Sequence, residues 1–340
     1  MARSSAPVGV GLVGAGWMGS FHGESLARRV PGARLVAVAD PAPGVAERLV
    51  AALGSGRAYA DAADLLADPD VQAVVIASPG GTHADGVVAA AGAGKAVFCE
   101  KPMAVNLAEA DRAIAAARAA GVALQVGFNR RFAPDFHAAH EVVASGGIGT
   151  PQLLRSLTRD PGGFDPATLG PWAVFLETLI HDFDTVCWLN PGSAPVQVYA
   201  MADALVRPDW KDRGLLDTAA VLIRFDNGAI ATAEANFSAV YGYDVRGEVF
   251  GSAGMVTAGD VRRPGMTRYG AEGASVPTVR RNIDLFHDAY VAEMACFIDA
   301  VRTGSAPPVS GTDARTALAI ALASIESVRT GAPVDLDPQR

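Results

Sequence analysis

The chain has 340 residues, of which half are hydrophobic, 19% are charged and 37 are glycine. This length favours two domains, and this composition excludes an intrinsically disordered chain. The net charge of −8 and the lack of any lysine or arginine block argue against a surface that follows nucleic-acid phosphates, so we expect no nucleic-acid partner.

Apolar runs and cysteines predict a cytoplasmic protein that does not enter a membrane. The first residues lack the long apolar stretch of a signal peptide, and the runs Ala73–Ala77 and Ala317–Ala323 are too short to span a bilayer. Cys99, Cys187 and Cys296 lie far apart and outside any CxxC motif, which is typical of buried thiols in a reducing compartment. No cluster of side chains has the spacing of metal ligands, so we expect no metal.

A glycine-rich motif follows the first predicted strand, Val8–Val13, and precedes a helical pattern that reaches about Val30. Its form is GxGxxG, in which the first glycine permits a tight turn and the second lets backbone amides approach a pyrophosphate. The third glycine lets the helix pack closely on the strand. The N-terminus of that helix then points toward the negatively charged phosphates of the ligand. We predict that this motif binds a cofactor through Gly14, Gly16, Trp17, Met18 and Gly19.

An acidic residue ends the second predicted strand, Arg34–Ala39. This residue, Asp40, lies 21 positions after Gly19, and the next basic residue is Arg48. A carboxylate about 20 residues beyond the motif accepts hydrogen bonds from ribose hydroxyls and repels a 2′-phosphate. The pattern therefore favours NAD over NADP. The alternative is that Asp40 only caps the next helix.

Strands and helices continue to alternate through the first third of the chain. The predicted elements are helices over Gly44–Leu53, Ala62–Leu66, His83–Gly92 and Asn106–Ala120, and strands over Arg57–Tyr59, Ala73–Ala77, Ala96–Cys99 and Ala123–Val126. Strands connected by helices form right-handed crossovers, and the expected architecture is an α/β Rossmann domain with a doubly wound parallel sheet.

Two segments stand at the carboxyl ends of these strands, where such sheets bind ligands. The first is SPGGTH and the second is EKP, and the cofactor contacts that we predict in them are Ser78, Pro79, His83, Glu100 and Lys101. Lys101 can donate a hydrogen bond to a reacting oxygen, and Pro102 is compatible with a cis bond. The alternative is a surface lysine beside Glu100.

A later stretch, Phe175–Leu189, has the period of an amphipathic helix. On an α-helix, Glu177 and His181 fall on one arc together with Asp184 and Trp188, and a carboxylate one turn before an imidazole can orient that ring as an acid–base catalyst. The alternative is an ordinary helix with a solvated face, since Thr178, Asp182 and Thr185 extend the polar arc.

From about Phe128 onward the pattern changes, and it predicts an α+β domain with an open, mainly antiparallel sheet. The predicted strands are Thr150–Thr158, Pro195–Ala202, Leu216–Phe225, Ala229–Phe237, Tyr243–Phe250 and Met255–Ala258, and Asn227–Gly228 is a hairpin signal. We expect the helix over Phe175–Leu189 to cover one face, and we place Val221, Ile223, Ile230, Thr232 and Glu234 on the other. The expected domains are 1–127, 128–310 and a C-terminal helix and tail, 311–340.

The ordered motifs GLVGAGWMG, AD, SPGGTH, CEKP, GFNRRF (127–132) and IHDFD (180–184) resemble the Gfo/Idh/MocA family of NAD(P)-dependent sugar and cyclitol oxidoreductases. The resemblance runs from about Val8 to about Gly331. Within the family the chain most resembles the inositol 2-dehydrogenases, on the segments SLTRDP (156–161), YGYDVRGEVFG (241–251) and SGTDARTALAIALASIES. The resemblance implies that the last helix docks back on the first domain and that the open sheet face is buried in a homodimer or homotetramer.

The resemblance also implies the catalytic residues, Lys101 and His181, with Glu177 where family enzymes carry an aspartate. His181 would take the proton of a secondary alcohol as its hydride leaves to NAD. The implied contacts to a polyol or sugar substrate are Lys101, Arg131, Asp160, Trp172, Glu177 and His181. Arg131 and Asp160 are also compatible with structural ion pairs, and Trp172 with a core anchor.

Three functions remain open at this point. An inositol-type dehydrogenase is favoured, and a sugar dehydrogenase or reductase of the same family is the first alternative. Ala133 replaces an aspartate that is usual in inositol dehydrogenases, and Gly80 replaces a family asparagine. A non-catalytic nucleotide-sensing regulator is less favoured, because Lys101 and His181 are both retained.

Overall fold

A computed structural model describes residues 6–163, 165–261 and 266–337 of the chain. The chain divides into two compact units, each formed from two separate stretches. The first unit comprises Met1–Asn129 and Asp288–Thr316, and the second comprises Arg130–His287 and Ala317–Arg340. The first five and last three residues of the expected domains lie outside the described residues.

The first unit is built on a parallel sheet of six strands, which confirms the predicted doubly wound fold. The strands are β1 (Val8–Val13), β2 (Ala33–Ala39), β3 (Arg57–Tyr59), β4 (Ala73–Ile76), β5 (Ala96–Cys99) and β6 (Leu124–Val126). Their order is β3-β2-β1-β4-β5-β6. Because the connections reverse direction between β1 and β4, the carboxyl ends of these two strands border the crevice in which such sheets bind ligands.

Five helices connect the strands of this unit. They are α1 (Trp17–Arg28), α2 (Val45–Leu53), α3 (Ala62–Ala67), α4 (His83–Gly92) and α5 (Leu107–Ala120). The side chains of Val10, Leu12 and Val75 are fully buried, as expected where helices cover both faces of a parallel sheet.

The second unit contains a mixed, mainly antiparallel sheet of seven strands, as predicted. Its strands and the separate hairpin β13–β14 are β7 (Pro151–Arg159), β8 (Pro195–Asp203), β9 (Thr218–Phe225), β10 (Ile230–Asn236), β11 (Asp244–Gly251), β12 (Gly254–Ala258), β13 (Arg268–Gly270), β14 (Gly273–Ser275) and β15 (Val334–Asp335). The order in the large sheet is β12-β11-β7-β10-β9-β8-β15, and among its described strands only β7 and β10 pair in parallel. The predicted hairpin turn joins β9 to β10, with Gly228 at φ +88°.

The two faces of this sheet differ from the expected assignment at two positions. Val221 and Ile223 are 1% and 0% exposed, and they belong to the covered face. Leu222 lies between them and is 49% exposed on the open face, opposite Thr232 of β10. The side chains of a strand alternate, so an error of one residue in phase moves each of them to the wrong face.

The helices of the remaining chain are α6 (Pro134–Ala144), α7 (Ile180–Trp188), α8 (Asn282–Thr303) and α9 (Gly311–Thr330). The expectation of one α-helix over Phe175–Leu189 is wrong, because Val174–Leu179 forms a π-helical segment and only the part from Ile180 is α-helical. This α7 packs against β7 and β10 of the large sheet.

The C-terminal part of the chain also divides differently from the expected domains. Met294, Phe297 and Ile298 of α8 are buried in the same core as β1, β2 and β4 of the first unit. By contrast, residues from Ala317 onward group with the second unit, where the Ser327 hydroxyl accepts the Ala200 amide at 2.9 Å. Val334 of β15 then pairs with Val198 of β8. Residues 288–310 thus belong to the first unit, and most of 311–337 does not.

Within the residues that the structure describes, we find no helix with both the length and the apolar character needed to cross a membrane.

Candidate active site

The glycine loop of the first unit has the backbone that its sequence predicts. Gly14 has φ +90°, and a Cβ atom there would lie 2.6 Å from the Ser78 amide nitrogen. A Cβ atom on Gly19 would lie 1.9 Å from the Gly14 carbonyl oxygen. Around Gly16, in contrast, a Cβ atom would have no neighbour within 4 Å among the described residues. The first and third glycines are therefore required by packing, whereas the second borders open space.

Helix α1 begins directly after this loop, with Gly16 as its N-cap and no side-chain hydrogen bond to its first amides. The first amides of a helix have no partner within the helix, and they attract anions. Trp17 is 59% exposed and Met18 is half-buried at this end. The open Gly16 and these amides fit a dinucleotide pyrophosphate.

Asp40 connects the end of β2 to the glycine loop. Its Oδ2 atom accepts the Ala15 amide at 2.8 Å, and its Oδ1 atom accepts the Ala42 amide at 2.9 Å. Helix α2 begins later, after an N-cap at Gly44, so Asp40 does not cap it. Each carboxylate oxygen has the capacity to accept a second hydrogen bond, which fits the ribose hydroxyls of NAD.

His83 holds the two predicted cofactor segments together. Its Nε2 atom lies 2.7 Å from the Ser78 carbonyl oxygen, and its Nδ1 atom lies 2.8 Å from the Pro102 carbonyl oxygen. The ring is 2% exposed, whereas Pro79 beside it is exposed. The role of His83 in this structure is to support the backbone of both segments.

Lys101 follows β5 and is half-buried, and its bond to Pro102 is cis, as the sequence suggested. Its backbone N–H donates to Glu100 Oε2 at 3.2 Å. Glu100 is only 6% exposed, and its other oxygen lies 2.6 Å from His22 Nε2. Glu100 is thus an internal support for the lysine, which argues against an exposed ion pair.

The substrate residues predicted from the resemblance lie in the second unit, apart from Lys101. Arg131 makes two hydrogen bonds to Asp184, from Nε at 2.9 Å and from Nη2 at 2.5 Å, and both side chains are buried. The Arg131 guanidinium also lies 5.7 Å from the centre of the Trp188 ring, on which His140 stacks at 4.2 Å. The structural ion pair is therefore present, and a contact of Arg131 with substrate stays a prediction.

Asp182 is fully buried, so its assignment to a solvated helix face is wrong. Its carboxylate accepts hydrogen bonds from Arg130 Nη1 at 2.7 Å, from the Ser156 hydroxyl at 2.6 Å and from the Thr158 hydroxyl at 2.7 Å. Ser156 and Thr158 are alternate residues of β7, and so they point to the same side of the sheet. This network attaches the start of α7 to the sheet.

Glu177 and His181 lie on either side of the change from π-helix to α-helix. Glu177 is exposed and His181 is half-buried, and the His181 carbonyl accepts the Thr185 hydroxyl at 2.7 Å. A π-helical turn contains more residues than an α-helical one, so their spacing of four positions does not correspond to one α-helical turn. These two residues belong to the second unit and Lys101 to the first.

Asp160 and Trp172 occupy constrained backbone positions in the same unit. Asp160 directly follows β7 and is 6% exposed, and its carbonyl accepts the Ala239 amide at 2.7 Å. Trp172 has φ +64°, which is uncommon for a residue with a side chain. The guanidinium of Arg329 lies 5.1 Å from the centre of the Trp172 ring. The fold anchors this tryptophan, and its contact with a sugar ring stays a prediction.

Two family models match the chain. Residues 8–128 match the oxidoreductase family model with an NAD-binding Rossmann fold, and residues 136–257 match the Gfo/Idh/MocA C-terminal domain. A Bacillus subtilis protein named scyllo-inositol 2-dehydrogenase (NAD(+)) is 36% identical, over 97% of this chain and 96% of its own length. The chain belongs to the Gfo/Idh/MocA family. Its first unit is accordingly the NAD-binding Rossmann domain of that family.

Other members of the Gfo/Idh/MocA family are similar over their whole lengths. A Thermotoga maritima protein named myo-inositol 2-dehydrogenase is 36% identical, over 96% of this chain and 98% of its own. The structure of scyllo-inositol dehydrogenase from Lactobacillus casei with bound NAD(H) and scyllo-inositol has a TM-score of 0.92 at 27% identity, with 97% and 99% of the two chains covered. The myo-inositol dehydrogenase of the same organism, in complex with NAD(H) and myo-inositol, has a TM-score of 0.89 at 29% identity, with 97% of each chain covered.

Two features of this family member were not predicted from the sequence. The first is the pairing of Arg130 and Arg131 with Asp182 and Asp184, since the sequence suggested an ion pair for Arg131 but not its partner, and none for Arg130. Two adjacent arginines and a DxD pattern provide matching charges, and this was the available signal. The second is a buried group of His22, Glu100 and Glu293 whose ligand atoms lie within 4.8 Å of one another. These three residues are far apart in sequence, so no local motif indicates the group. The expected absence of a metal stays a prediction.

Proposed function

We propose that the chain oxidises a secondary alcohol of an inositol to the ketone while it reduces NAD. The observation that carries this proposal is similarity over nearly the whole chain to two sets of proteins. One set is named scyllo-inositol 2-dehydrogenase (NAD(+)) and myo-inositol 2-dehydrogenase, and the other is the scyllo- and myo-inositol dehydrogenases of Lactobacillus casei, whose structures contain NAD(H) and an inositol. The proposal is also supported by three features that fit the binding of NAD, namely the glycine loop, Asp40 and the segment before Pro102.

In this proposal His181 accepts the proton of the substrate hydroxyl, and Lys101 donates a hydrogen bond to the same oxygen. An imidazole has an ordinary pKa of about 6.5, which suits proton transfer near neutral pH. A positioned donor stabilises the negative charge that develops on the oxygen. Glu177 orients His181 or binds a neighbouring hydroxyl. Bound NAD supplies the hydride acceptor, which is C4 of its nicotinamide ring.

Arg131, Asp160 and Trp172 complete the proposed substrate side. The carboxylate of Asp184 already receives two hydrogen bonds from Arg131, so a polyol would meet an arginine whose orientation is set in advance. Such preorganisation reduces the entropy lost when a flexible side chain binds a ligand.

We also propose that the chain forms a homo-oligomer through the open face of its large sheet. Met255, Phe250, Leu153 and Ile230 are neighbours on four adjacent strands, and they are 42–55% exposed. Soluble monomers rarely expose a large continuous apolar patch, and a second copy of the same face is self-complementary about a twofold axis. Cys99 and Cys296 are free thiols, which supports a reducing, cytoplasmic location.

The purified protein should be incubated with NAD or NADP and a panel of inositols, aldoses, anhydrosugars and ketoses, while the absorbance of the reduced cofactor is recorded. We expect NAD-dependent turnover with at least one inositol. Turnover with a sugar alone would replace the inositol by the alternative substrate class. An absence of turnover with every compound and both cofactors would contradict the enzymatic function.

A further inference from the structure

The first unit contains a group of three buried titratable side chains. His22 comes from α1, Glu100 from the end of β5 and Glu293 from α8. Their exposed fractions are 0%, 6% and 0%. The rings of Phe98 and Tyr290 lie edge-on to His22, with centroids 5.6 and 6.1 Å away.

Two members of this group are hydrogen-bonded to each other, whereas the carboxyl oxygens of the third have no hydrogen bond to any described residue. His22 Nε2 lies 2.6 Å from Glu100 Oε1. Neither carboxyl oxygen of Glu293 has a hydrogen-bond partner among the described residues, and the same holds for His22 Nδ1. Glu293 nevertheless has an oxygen within 4.8 Å of a ligand atom of each of the other two residues. An ionised carboxylate in this position would carry an uncompensated buried charge.

We propose that Glu293 holds a proton at neutral pH and, through the His22–Glu100 pair, acts as a positioning residue for Lys101. Glu293 makes no hydrogen bond to this pair in the structure, but a protonated Glu293 would place a hydroxyl donor within 4.8 Å of a carboxylate that already accepts the Lys101 amide. The group then contains one imidazole, one carboxylate and one carboxylic acid. The link to Lys101 rests on the proposed function, whereas the protonation of Glu293 does not.

The pKa values of the two carboxyl groups are shifted in opposite directions. Complete burial, together with the negative charge of Glu100, raises the pKa of Glu293 well above its ordinary range. Burial would also raise the pKa of Glu100, but the hydrogen bond from His22 and the charges of His22, Lys101 and His83 hold it below its usual value. The titratable groups that surround the group from neighbouring elements are His83, Cys99, Lys101 and Tyr290.

A metal ion does not explain the geometry as well as a proton does. Ligand atoms around a tetrahedral zinc lie about 3.4 Å apart when each is about 2.1 Å from the metal. The 2.6 Å between His22 and Glu100 is the length of a direct hydrogen bond. The group is also buried, and it offers only three ligand residues among the described part of the chain.

Protonation of Glu293 has a defined consequence for stability. The folded state binds this proton more tightly than the unfolded chain does, so the native state loses stability as the pH rises from about 4.3, the ordinary pKa of glutamate, through the raised pKa. Glu293→Gln replaces the acid with a neutral group of the same shape, and this loss should disappear.

The first experiment compares melting temperatures of the full chain between pH 4.5 and 9. We expect Glu293→Gln to melt together with the wild type near pH 4.5 and about 2–4 °C above it near pH 8. Glu47→Gln is the matched control, since it removes an exposed carboxylate of the same unit, and it should show no such divergence. Infrared spectra should contain a protonated-carboxyl band in the wild type that Glu293→Gln lacks. A variant less stable than the wild type at pH 8, with no such band, would overturn the proposed protonation.

The second experiment tests the positioning role. We expect Glu293→Met to lower kcat about tenfold with little change in NAD affinity, and Glu293→Gln to restore kcat, because only the glutamine retains a donor. A folded Glu293→Met variant with wild-type kcat would overturn the positioning role. A divalent metal that co-purifies with the wild type in equal amount and is lost in Glu293→Gln would overturn the proton in favour of a cation. If the wild type has no activity, the stability and infrared measurements still decide whether Glu293 is protonated.

Discussion

The carboxylate of Asp40 has a structural role in this chain, and we propose that it also selects the cofactor. It receives amides from both the glycine loop and the turn after β2, so its position relative to a bound ribose is set by the backbone. In the proposed cofactor site, the same charge would repel a 2′-phosphate on the ribose. Lys101 is comparable, because Glu100 accepts a hydrogen bond from its backbone amide, while the proposed catalytic group is its ammonium.

Asp40→Ser should weaken NAD binding much more than NADP binding. The loss of a charge-assisted hydrogen bond is worth about 1.5–3 kcal/mol, which corresponds to a rise in the Kd of NAD of about 10–150-fold. Binding titrations with both cofactors measure this, and Asp64→Ser, an exposed aspartate of the same unit, is the control. Equal losses for both cofactors would show that Asp40 serves the loop alone.

Lys101→Met and His181→Asn should each reduce turnover severely and leave NAD affinity nearly unchanged. Removing a preorganised donor costs about 10²–10³ in kcat, and removing a general base costs about 10²–10⁴. Steady-state kinetics with the best polyol and a separate NAD titration measure the two quantities. Lys211→Met, which removes an exposed lysine paired with Asp203, should behave as the wild type. Wild-type rates in either site variant would refute its assigned role.

At the scale of the element, the segment Val174–Trp188 departs from a regular helix just where the proposed catalytic residues lie. The π-helical turn changes the direction in which Glu177 points relative to His181. Helix α7 is held at its start by Asp182, which binds Arg130 and two hydroxyls of β7. The buried network therefore sets where the helix carries His181.

Asp182→Ala should destabilise the second unit by about 3–5 kcal/mol, because it leaves the buried guanidinium of Arg130 without its counter-ion. Denaturant unfolding followed by circular dichroism measures this cost. The double variant Arg130→Met/Asp182→Leu removes both charges, and its loss should be smaller than the sum of the single losses. A cost below about 1 kcal/mol for Asp182→Ala would show that the pair contributes little to stability.

At the scale of the whole molecule, the large sheet has one covered face and one open face. The open face presents an apolar row across four strands, with Leu153 flanked by Phe250 and Ile230. Ion pairs of Glu234 with Arg155 and Arg159 also belong to these strands. A core of apolar side chains with charged groups around it is typical of protein interfaces.

Leu153→Glu should convert the oligomer to smaller species, since it introduces an unpaired charge at the centre of the apolar row. The leucine is 55% exposed, so we expect the isolated fold to tolerate the change. Light scattering coupled to size exclusion measures the mass of each variant. Val142→Glu, on an exposed position of α6, is the matched control and should leave the mass unchanged. A monomeric wild type would contradict the proposed oligomer.

The sequence alone determined the Rossmann elements, the glycine loop and the positions of Asp40 and Lys101. These features depend on short-range patterns, in which a strand, a turn and a helix follow one another and each has its own periodicity. The hairpin at Asn227–Gly228 was predicted for the same reason, because turn chemistry is local.

Only the tertiary structure decided which charges are buried and which face of a strand is covered. Asp182 resembles a solvated helix residue until Arg130 is brought to it from 52 positions away. Glu293 shows no local signal, because its partners His22 and Glu100 lie far away in sequence. The face of the sheet on which Val221 and Ile223 lie depends on the phase of the two-residue alternation along the strand. Contacts between residues far apart in sequence determine the burial of these charges and the covered face of the strand. The periodicity of a single segment contains no information about such contacts.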